Sequence, residues 1–407
     1  MRKPVPEPGA VLWFVRTVLT ANRLLGPDGI VERPIVVMED GLIAELGSQD
    51  ETRLPPGRHV ALPECTLAPA FFDVHIHGCA GHDSMEATET ALNAMGRFLA
   101  RKGVGSYCAT TVTAPLDALL RSLSGLVKLL QKPLEGARPV GIHLEGPFLS
   151  PHKRGAHAES QLLSPSVAVF DRMWEAAEGT IRVMTIAPEL PGAEETIAHA
   201  ARLGVRISLG HSNADSEAAR RGVRAGGVTA THTFNAMRAL DHRNPGLLGE
   251  VLTNDALFAE IICDGMHVDP TAVRLFWRAK GADRALLMTD AMAGTGMPDG
   301  RYMLGELEVR VENGRCLIGE NTLAGSTLTM DRAVRNFMAF TGAGLAETVG
   351  LATRNPARMT GLDGRIGMLA PGRSADIAVL SAKNEVVETF LGGEAQLMAA
   401  GDGAFNG

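Results

Sequence analysis

The 407-residue sequence predicts an α/β protein, a (β/α)8 TIM-like barrel with a small β-sandwich domain built from both chain ends. Strand-like and helix-like runs alternate through the middle of the chain, as they do in successive βα units. No glycine-rich dinucleotide or phosphate-loop motif follows the first strand, so the usual sign of an open, nucleotide-binding sheet is missing. Together these observations favour a closed barrel.

Eight short apolar runs are the predicted barrel strands, and helical stretches such as 87–101 and 115–131 separate most of them. The first run begins at residue 67, and the others lie at 106–112, 139–145, 181–186, 206–209, 228–232, 259–263 and 285–289.

Both chain ends carry short β-type segments. Runs at 35–38 and 42–46 flank Glu39-Asp40-Gly41, a compact hairpin signal, and further strands are predicted at 375–380 and 385–390. Neither end has enough apolar residues for a core of its own. We therefore predict that residues 1–65 and 363–407 pack together as the sandwich domain and that residues 66–362 form the barrel.

Composition limits the class of protein. The chain is 45% hydrophobic and 21% charged, which is typical of a globular protein, and it is long enough for a large core. A net charge of -7 argues against general nucleic-acid binding but leaves a locally built phosphate site open.

The cysteines and the N-terminus favour a cytoplasmic location. Five cysteines, an odd number without paired spacing, predict free thiols in a reducing compartment rather than a disulfide framework. Prolines at positions 4, 6 and 8 and the charge of Arg16 interrupt any signal-peptide core, and no later run is long enough to span a membrane.

The first barrel strand carries a pair of histidines. Alternate residues of a strand point the same way, so His75 and His77 project together, and Gly78 then lets the backbone turn away. Two converging imidazoles form half of a metal site. On these residues alone, two polar side chains on an exposed strand remain an equal alternative.

Further metal-ligand types occur where later strands end. These residues are Glu145, His211, His232 and Asp290. Active sites of such barrels lie at the C-terminal strand ends, and histidine with carboxylate is the ligand set of hydrolytic divalent-metal sites. A lone strand-end histidine is more often structural, but six such residues at equivalent positions predict a metal centre.

The His-x-His pair, two later histidines and the final aspartate resemble the amidohydrolase superfamily. Local blocks narrow the resemblance to its N-acetylglucosamine-6-phosphate deacetylase family; they lie at 143–148, 154–157, 210–214, 232–237, 263–267, 289–292 and 323–326. The tail at 367–376 resembles the closing β segment of the superfamily.

The resemblance implies a metal centre. Glu145, His211 and His232 would hold one ion, with Glu145 in place of the carboxylated lysine that other amidohydrolases take from strand 4. The predicted strand 4 contains no lysine. Because this chain retains the first-strand pair, a second ion held by His75, His77, Glu145 and Asp290 is also implied. Zinc is the first expectation for one or two ions per chain, with iron and other divalent metals open.

The resemblance also implies a reaction. Metal-bound hydroxide would attack the acetamide of N-acetyl-D-glucosamine 6-phosphate, and Asp290 would act as general base and then general acid. His267 would donate a hydrogen bond at the developing oxyanion, although a loop histidine bonded to Asp264 or Asp269 is the alternative. The products would be D-glucosamine 6-phosphate and acetate.

Substrate contacts follow from the same family resemblance. It places Ala156 and His157 at the sugar, and Leu323, Ala324 and Gly325 in a loop that closes over it. The backbone of Asn235 and Ala236 and the guanidinium of Arg243 resemble a phosphate-binding set. Family members are commonly dimers, so a homodimer in which a neighbouring subunit completes the phosphate pocket is expected.

Three alternatives remain. The nearest is a deacetylase for N-acetylgalactosamine 6-phosphate, because one epimeric hydroxyl separates the two substrates. Another amide hydrolase of the superfamily is disfavoured by the missing strand-4 lysine and the phosphate-type loop at 235–243. A barrel that has lost catalysis should have lost ligands, whereas all six are present here.

Overall fold

The computed structural model describes residues 16–397. The strands of the N-terminal part are β1 Thr17–Gly26, β2 Gly29–Glu32, β3 Pro34–Glu39, β4 Leu42–Ser48 and β5 Arg58–Pro69. Those of the middle part are β6 Phe71–Ile76, β7 Gly78–Cys79, β8 His82–Asp83, β9 Val104–Thr110, β10 Arg138–Glu145, β11 Ile181–Ile186, β12 Arg206–Leu209, β13 Gly227–Ala230, β14 Ala259–Ile262 and β15 Ala285–Met288. The last strands are β16 Gly300–Leu304, β17 Leu307–Glu312, β18 Arg315–Ile318, β19 Thr322–Leu323, β20 Ile377–Leu380, β21 Val386–Leu391 and β22 Glu394–Ala395.

Helices connect most of the middle strands. They are α1 Glu89–Ala100, α2 Leu116–Leu130, α3 Val167–Ala176, α4 Ala193–Arg202, α5 Ser216–Ala225, α6 Gly246–Thr253, α7 Pro270–Arg284, α8 Met330–Thr341, α9 Leu345–Leu351 and α10 Arg354–Thr360. Three short 3-10 turns lie at Ser84–Glu86, Pro151–Lys153 and Glu159–Gln161. No helix among residues 16–397 is long and apolar enough to cross a membrane.

Eight parallel strands surround the core, consistent with the predicted barrel. Six form one sheet in the order β13-β12-β11-β10-β9-β6, and β14 pairs with β15. Backbone hydrogen bonds join the two sets at both edges, from Phe258 N to Val228 O (3.0 Å) and from Asp290 N to His75 O (3.0 Å). All eight predicted strands are thereby found.

Helix amphipathicity explains how the outer layer packs. In α1, Leu92, Met95 and Leu99 recur at helical spacing and are buried, while the side chain of Thr88 accepts a hydrogen bond from the Ala91 amide and caps the helix. The structure confirms the predicted helices at 87–101 and 115–131 as α1 and α2.

The first predicted strand needs correction, because it is two strands. β5 ends at Pro69 and pairs with β1 and β20, whereas β6 begins at Phe71 and enters the barrel. The Ala70 amide between them donates to the Asp376 carbonyl (3.0 Å), which joins both chain ends where the barrel begins. An unbroken apolar run in the sequence conceals this change of sheet.

Strands from both chain ends form one eight-stranded mixed sheet in the order β22-β21-β20-β5-β1-β3-β4, with β2 paired to β1. The predicted hairpin is confirmed as β3–β4, and Asp40 and Gly41 between them adopt the positive φ values, 51° and 76°, that such a turn requires. The predicted union of the two ends is therefore found in the strand pairing. The two-layered sandwich packing stays a prediction. The predicted domain limits also include residues 1–15 and 398–407, which lie outside the described residues.

A second, unpredicted sheet lies between β15 and α8. Strands β16–β19 form an antiparallel meander, and Asn313-Gly314 make the two-residue turn between β17 and β18. Asn-Gly between alternating polar and apolar residues is a strong hairpin signal, so this turn was predictable from the sequence.

All five cysteines are free, as predicted.

Candidate metal centre

The six predicted ligands converge at the C-terminal ends of the barrel strands. Glu145 is the last residue of β10, and His211, His232 and Asp290 each follow the end of their strand by two residues. Their side chains are buried and fall into two groups of potential ligand atoms, each group lying within 4.8 Å: His75, His77 and Asp290, and Glu145, His211 and His232.

Glu145 lies between the two groups. Its Oε1 atom is 3.2 Å from His211 Nε2 and 3.3 Å from His232 Nε2, and its Oε2 atom is 3.2 Å from His77 Nε2. Asp290 Oδ1 lies 3.2 Å from the same His77 nitrogen. One carboxylate thus serves both groups, which is the arrangement predicted for a centre of two ions.

Unusual backbone conformations aim these side chains into the barrel mouth. His211, His232 and Asp290 have φ values of 46°, 30° and 52°, in the left-handed region that few non-glycine residues adopt. Such strain persists where the surrounding structure over-determines it, and it concentrates at functional sites. Gly78 is required for a different reason, because a Cβ atom there would lie 2.2 Å from the His82 carbonyl oxygen.

The hydrogen bonds of His211 and His232 fit a cation. His211 Nδ1 lies 2.9 Å from the Lys153 carbonyl oxygen and His232 Nδ1 lies 3.2 Å from that of Asn235. Because a carbonyl only accepts, both Nδ1 atoms carry a proton, so in the neutral form of either ring Nε2 is a lone pair. Burial lowers the pKa of His211 to about 4, which keeps its ring neutral at pH 7.

Two lone pairs and a carboxylate therefore face one another. The Nε2 atoms of His211 and His232 are 3.0 Å apart, and both lie against Glu145 Oε1. Three acceptors without a donor among them repel one another unless a cation lies between them. The donor set thus fits a divalent metal such as zinc, which takes imidazole and carboxylate ligands.

The second group concentrates negative charge around two histidines. Burial alone would lower the pKa of His77, but the carboxylates of Asp290 and Glu145 outweigh it and raise the pKa to about 9. For Asp290, burial opposes ionisation, but His77 and His75 prevail and bring its pKa down to about 2. Two carboxylates facing two imidazoles again form a set that a divalent cation would satisfy.

A buried aspartate holds the first strand against the last. Asp73 accepts hydrogen bonds from the His75 amide (3.3 Å) and from the hydroxyl of Thr289 (2.5 Å), one residue before Asp290. It therefore fixes the relative position of two ligand-bearing strands. Burial raises the pKa of this carboxyl group to about 7.

A cavity of about 220 Å³ opens onto five of the six ligands, all but His75. Its walls include all but one of the predicted substrate-side residues: Ala156, His157, Asn235, Ala236, His267, Leu323, Ala324 and Gly325. The unpredicted β16–β19 sheet supplies Leu304 and Leu323 to this wall. A larger hollow of about 720 Å³ beside Tyr302 contains none of the six ligands, so cavity size does not mark the site.

Arg243 is the exception among the predicted substrate-side residues. Its residue is exposed and does not line the cavity of the single chain, and its amide donates to Asp241 Oδ1 (2.9 Å) in the same loop. Its assignment to the phosphate rests on the family resemblance and stays a prediction.

His267 bonds to an aspartate and also reaches the cavity. Its Nδ1 atom pairs with Asp264 Oδ2 at 2.6 Å, as in the structural alternative, yet the ring also lines the cavity. Burial would lower the pKa of His267, but Asp264 outweighs it and raises the pKa above its usual range. The bond to Asp264 leaves Nε2 as the nitrogen available to a ligand.

Sequence reasoning missed residues behind the ligands. Thr113 Oγ1 lies 2.7 Å from His157 Nδ1, and Glu260 Oε2 lies 3.6 Å from His75 Nδ1. An acidic residue inside the apolar run 259–262 was a visible signal for Glu260. Nothing local in the sequence marks Thr113.

Known proteins resemble this chain closely. Residues 66–395 match the model of the amidohydrolase family. The N-acetylgalactosamine-6-phosphate deacetylase of Escherichia coli O157:H7 is 37% identical over 93% of this chain and 98% of its own length. The N-acetylglucosamine-6-phosphate deacetylase of Vibrio furnissii is 34% identical over 90% of this chain and 91% of its own length.

A solved structure extends the resemblance to three dimensions. The N-acetyl-D-glucosamine-6-phosphate deacetylase of Mycobacterium smegmatis, a mutant in complex with N-acetyl-D-glucosamine-6-phosphate, superposes with a TM-score of 0.89 at 34% identity. The match covers 94% of this chain and 100% of that one. On the match of its sequence and the likeness of its fold, this chain belongs to the amidohydrolase family.

Proposed function

We propose that this protein hydrolyses the acetamide of N-acetyl-D-glucosamine 6-phosphate to D-glucosamine 6-phosphate and acetate. One observation carries the proposal: five of the six buried ligands, all but His75, line a single cavity whose walls include the residues that the deacetylase resemblance assigns to the sugar. The names of relatives at 34–37% identity over most of the chain support the same substrate class.

Two groups of ligands would hold the metal. Glu145, His211 and His232 would bind one ion, and His75, His77 and Asp290, with Glu145 shared, would bind the second. When bound, a divalent ion polarises the amide carbonyl and lowers the pKa of water toward neutrality. Zinc is the proposed metal, because it takes imidazole and carboxylate ligands, and iron would suit the same ligands.

Asp290 would carry the proton. Its carboxylate is ionised at neutral pH and lines the cavity, so it can accept a proton from the attacking water. The same carboxyl group would then deliver the proton to the departing amine.

His267 would stabilise the charge that develops on the acetamide oxygen. Asp264 holds its Nδ1 atom, so the ring is fixed and Nε2 is directed at the substrate. A raised pKa favours the protonated ring, in which Nε2 is a donor.

The sugar phosphate would lie along the far side of the cavity. Ala156 and His157 flank the sugar there, with Leu323, Ala324 and Gly325 above it. Asn235 Nδ2 is buried without a hydrogen-bond partner, which makes it a donor available to a phosphate oxygen beside the Ala236 amide.

Arg243 would act across an interface. Because its guanidinium lies outside the cavity of its own chain, we propose a homodimer in which each chain supplies Arg243 to the phosphate of its neighbour.

We also propose the domain limits 1–65, 66–362 and 363–407. A cytoplasmic location is proposed as well, and the five free thiols support it.

The second candidate is the galacto epimer. The Escherichia coli relative, 37% identical to this chain, is named for N-acetylgalactosamine 6-phosphate. Both substrates would use the same centre, since they differ at one hydroxyl remote from the reacting amide. Other amides of the superfamily remain a third and weaker candidate.

Acetate release from the two sugar phosphates, measured with zinc-loaded enzyme, tests the proposal. N-acetylglucosamine without its phosphate is the matched control and should be turned over at least tenfold less efficiently. Preference for the galacto epimer would replace the substrate but keep the mechanism. No turnover of either compound by enzyme with a measured metal content would refute the deacetylase function.

A further inference from the structure

A buried glutamate behind the metal centre has no hydrogen-bond partner. Glu260 lies in β14 between Ala259 and Ile261, its exposed fraction is 0%, and neither carboxylate oxygen makes a hydrogen bond. Burying an unpaired carboxylate is unfavourable, and the protein could avoid that cost with an apolar side chain at the same position. The acidic group therefore needs a reason to be there.

His75 faces this carboxylate. Glu260 Oε2 lies 3.6 Å from His75 Nδ1, which is itself buried and without a hydrogen-bond partner. The opposite nitrogen, His75 Nε2, faces the metal centre, 3.4 Å from Glu145 Oε1 and 3.4 Å from Asp290 Oδ1. The imidazole thus stands between an outer carboxylate and the second group of ligands.

The other ligand histidines are held differently. His211 and His232 direct Nδ1 at backbone carbonyl oxygens, and the Nδ1 atom of His77 is buried without a partner. Among these four histidines in the described chain, His75 is the one backed by a carboxylate. A carboxylate behind a ligand histidine fixes its tautomer and raises the basicity of the nitrogen that faces the metal.

We propose that Glu260 is a positioning residue for the second metal ion. Its carboxylate, 3.6 Å from His75 Nδ1, attracts the N–H at that nitrogen electrostatically, which holds the ring with Nε2 toward His77 and Asp290 and adds negative charge behind this site alone. The inference rests on the proposed two-ion centre. If it holds, binding of the second ion, at His75, His77 and Asp290, depends on a residue that touches neither metal nor substrate.

The test is the metal stoichiometry and affinity of Glu260→Gln, which removes the charge but keeps the size of the side chain. Wild type titrated with zinc should bind two ions per chain. In the variant, one ion should bind about 10–100-fold more weakly while the other is unchanged. Glu388→Gln is the matched control, because Glu388 is also a buried glutamate but lies in β21 of the terminal sheet. It should keep both ions.

His77→Ala and His211→Ala assign the ions. His77→Ala should lose the same ion that Glu260→Gln weakens, and His211→Ala should lose the other. If Glu260→Gln does not fold, the same zinc titration is made with Glu260→Asp, which keeps the charge but moves it one methylene away from His75. Its affinity for the second ion should lie below that of wild type by less than the roughly 10–100-fold expected for Glu260→Gln.

The proposal is overturned if wild type binds a single ion, if Glu260→Gln binds two ions with unchanged affinity, or if it weakens both ions equally. Because these readouts need no substrate, they stand apart from the proposed reaction. An enzyme that binds two ions in the expected way but releases no acetate would refute the function and leave the role of Glu260 intact.

Discussion

Replacing Asp290 with asparagine tests the proposed proton carrier with little disturbance of the fold. The backbone of residue 290 adopts a φ of 52°, a conformation in which asparagine and aspartate are both well tolerated. Its amide donates to the His75 carbonyl and its carbonyl accepts from the Ser326 amide, and neither bond involves the side chain. Asp290→Asn should therefore fold normally.

The expected magnitude follows from what the carboxylate does. General base and acid catalysis contributes about 10²–10⁴-fold, so kcat should fall by that factor, equivalent to about 3–5 kcal/mol of transition-state stabilisation. The predicted sugar and phosphate contacts come from other residues, so KM should change by less than about threefold. The ion held by Glu145, His211 and His232 should remain, since Asp290 is not in that group.

Steady-state acetate release, with metal content measured on the same samples, gives both quantities. Asp269→Asn is the control, because Asp269 is an exposed cap of α7 whose loss should leave kcat unchanged. A variant that keeps its metal and wild-type kcat would refute the role of Asp290. So would one in which KM rises while kcat is unchanged.

Three further predictions concern the metals and the fold. Glu145→Gln should lose both ions in elemental analysis, because this carboxylate serves both ligand groups; retention of two ions would contradict the bridging role. Chelation should lower Tm, since an ion present at about 1,000 times its Kd stabilises the folded state by about 4 kcal/mol. The loss should reverse when zinc is restored, and an unchanged Tm would argue against a tight site. Asn355→Ala should lower the free energy of unfolding by about 1–3 kcal/mol in urea, because the buried Nδ2 atom bonds the carbonyls of Ala282 and Ala285 at 2.8 and 2.7 Å. Exposed Asn22→Ala is its control, and an equal effect of the two substitutions would contradict this account.

Local patterns in the sequence predicted the ligands. A strand has period two, so His75 and His77 had to share a face, and parallel strands end at one edge of a sheet. Once the alternation of strands and helices was recognised, Glu145, His211, His232 and Asp290 were expected together. The structure brings all six into two adjacent groups.

Local patterns also misled in identifiable places. The apolar run from residue 67 conceals a change of sheet at Ala70, because both sheets bury that run. The β16–β19 meander was not predicted, although Asn313-Gly314 is a typical sequence signal for the turn between β17 and β18.

The sequence by itself determined the order of the barrel strands and the common edge at which the six proposed ligand residues lie, since these depend on backbone periodicity and chain order. Only the tertiary structure decided which atoms stand behind the ligands. Glu260 meets His75 across the closed barrel, 185 positions along the chain, and Asp264 turns His267 toward the cavity. Such contacts depend on barrel closure and side-chain direction, which cannot be predicted from a local sequence pattern.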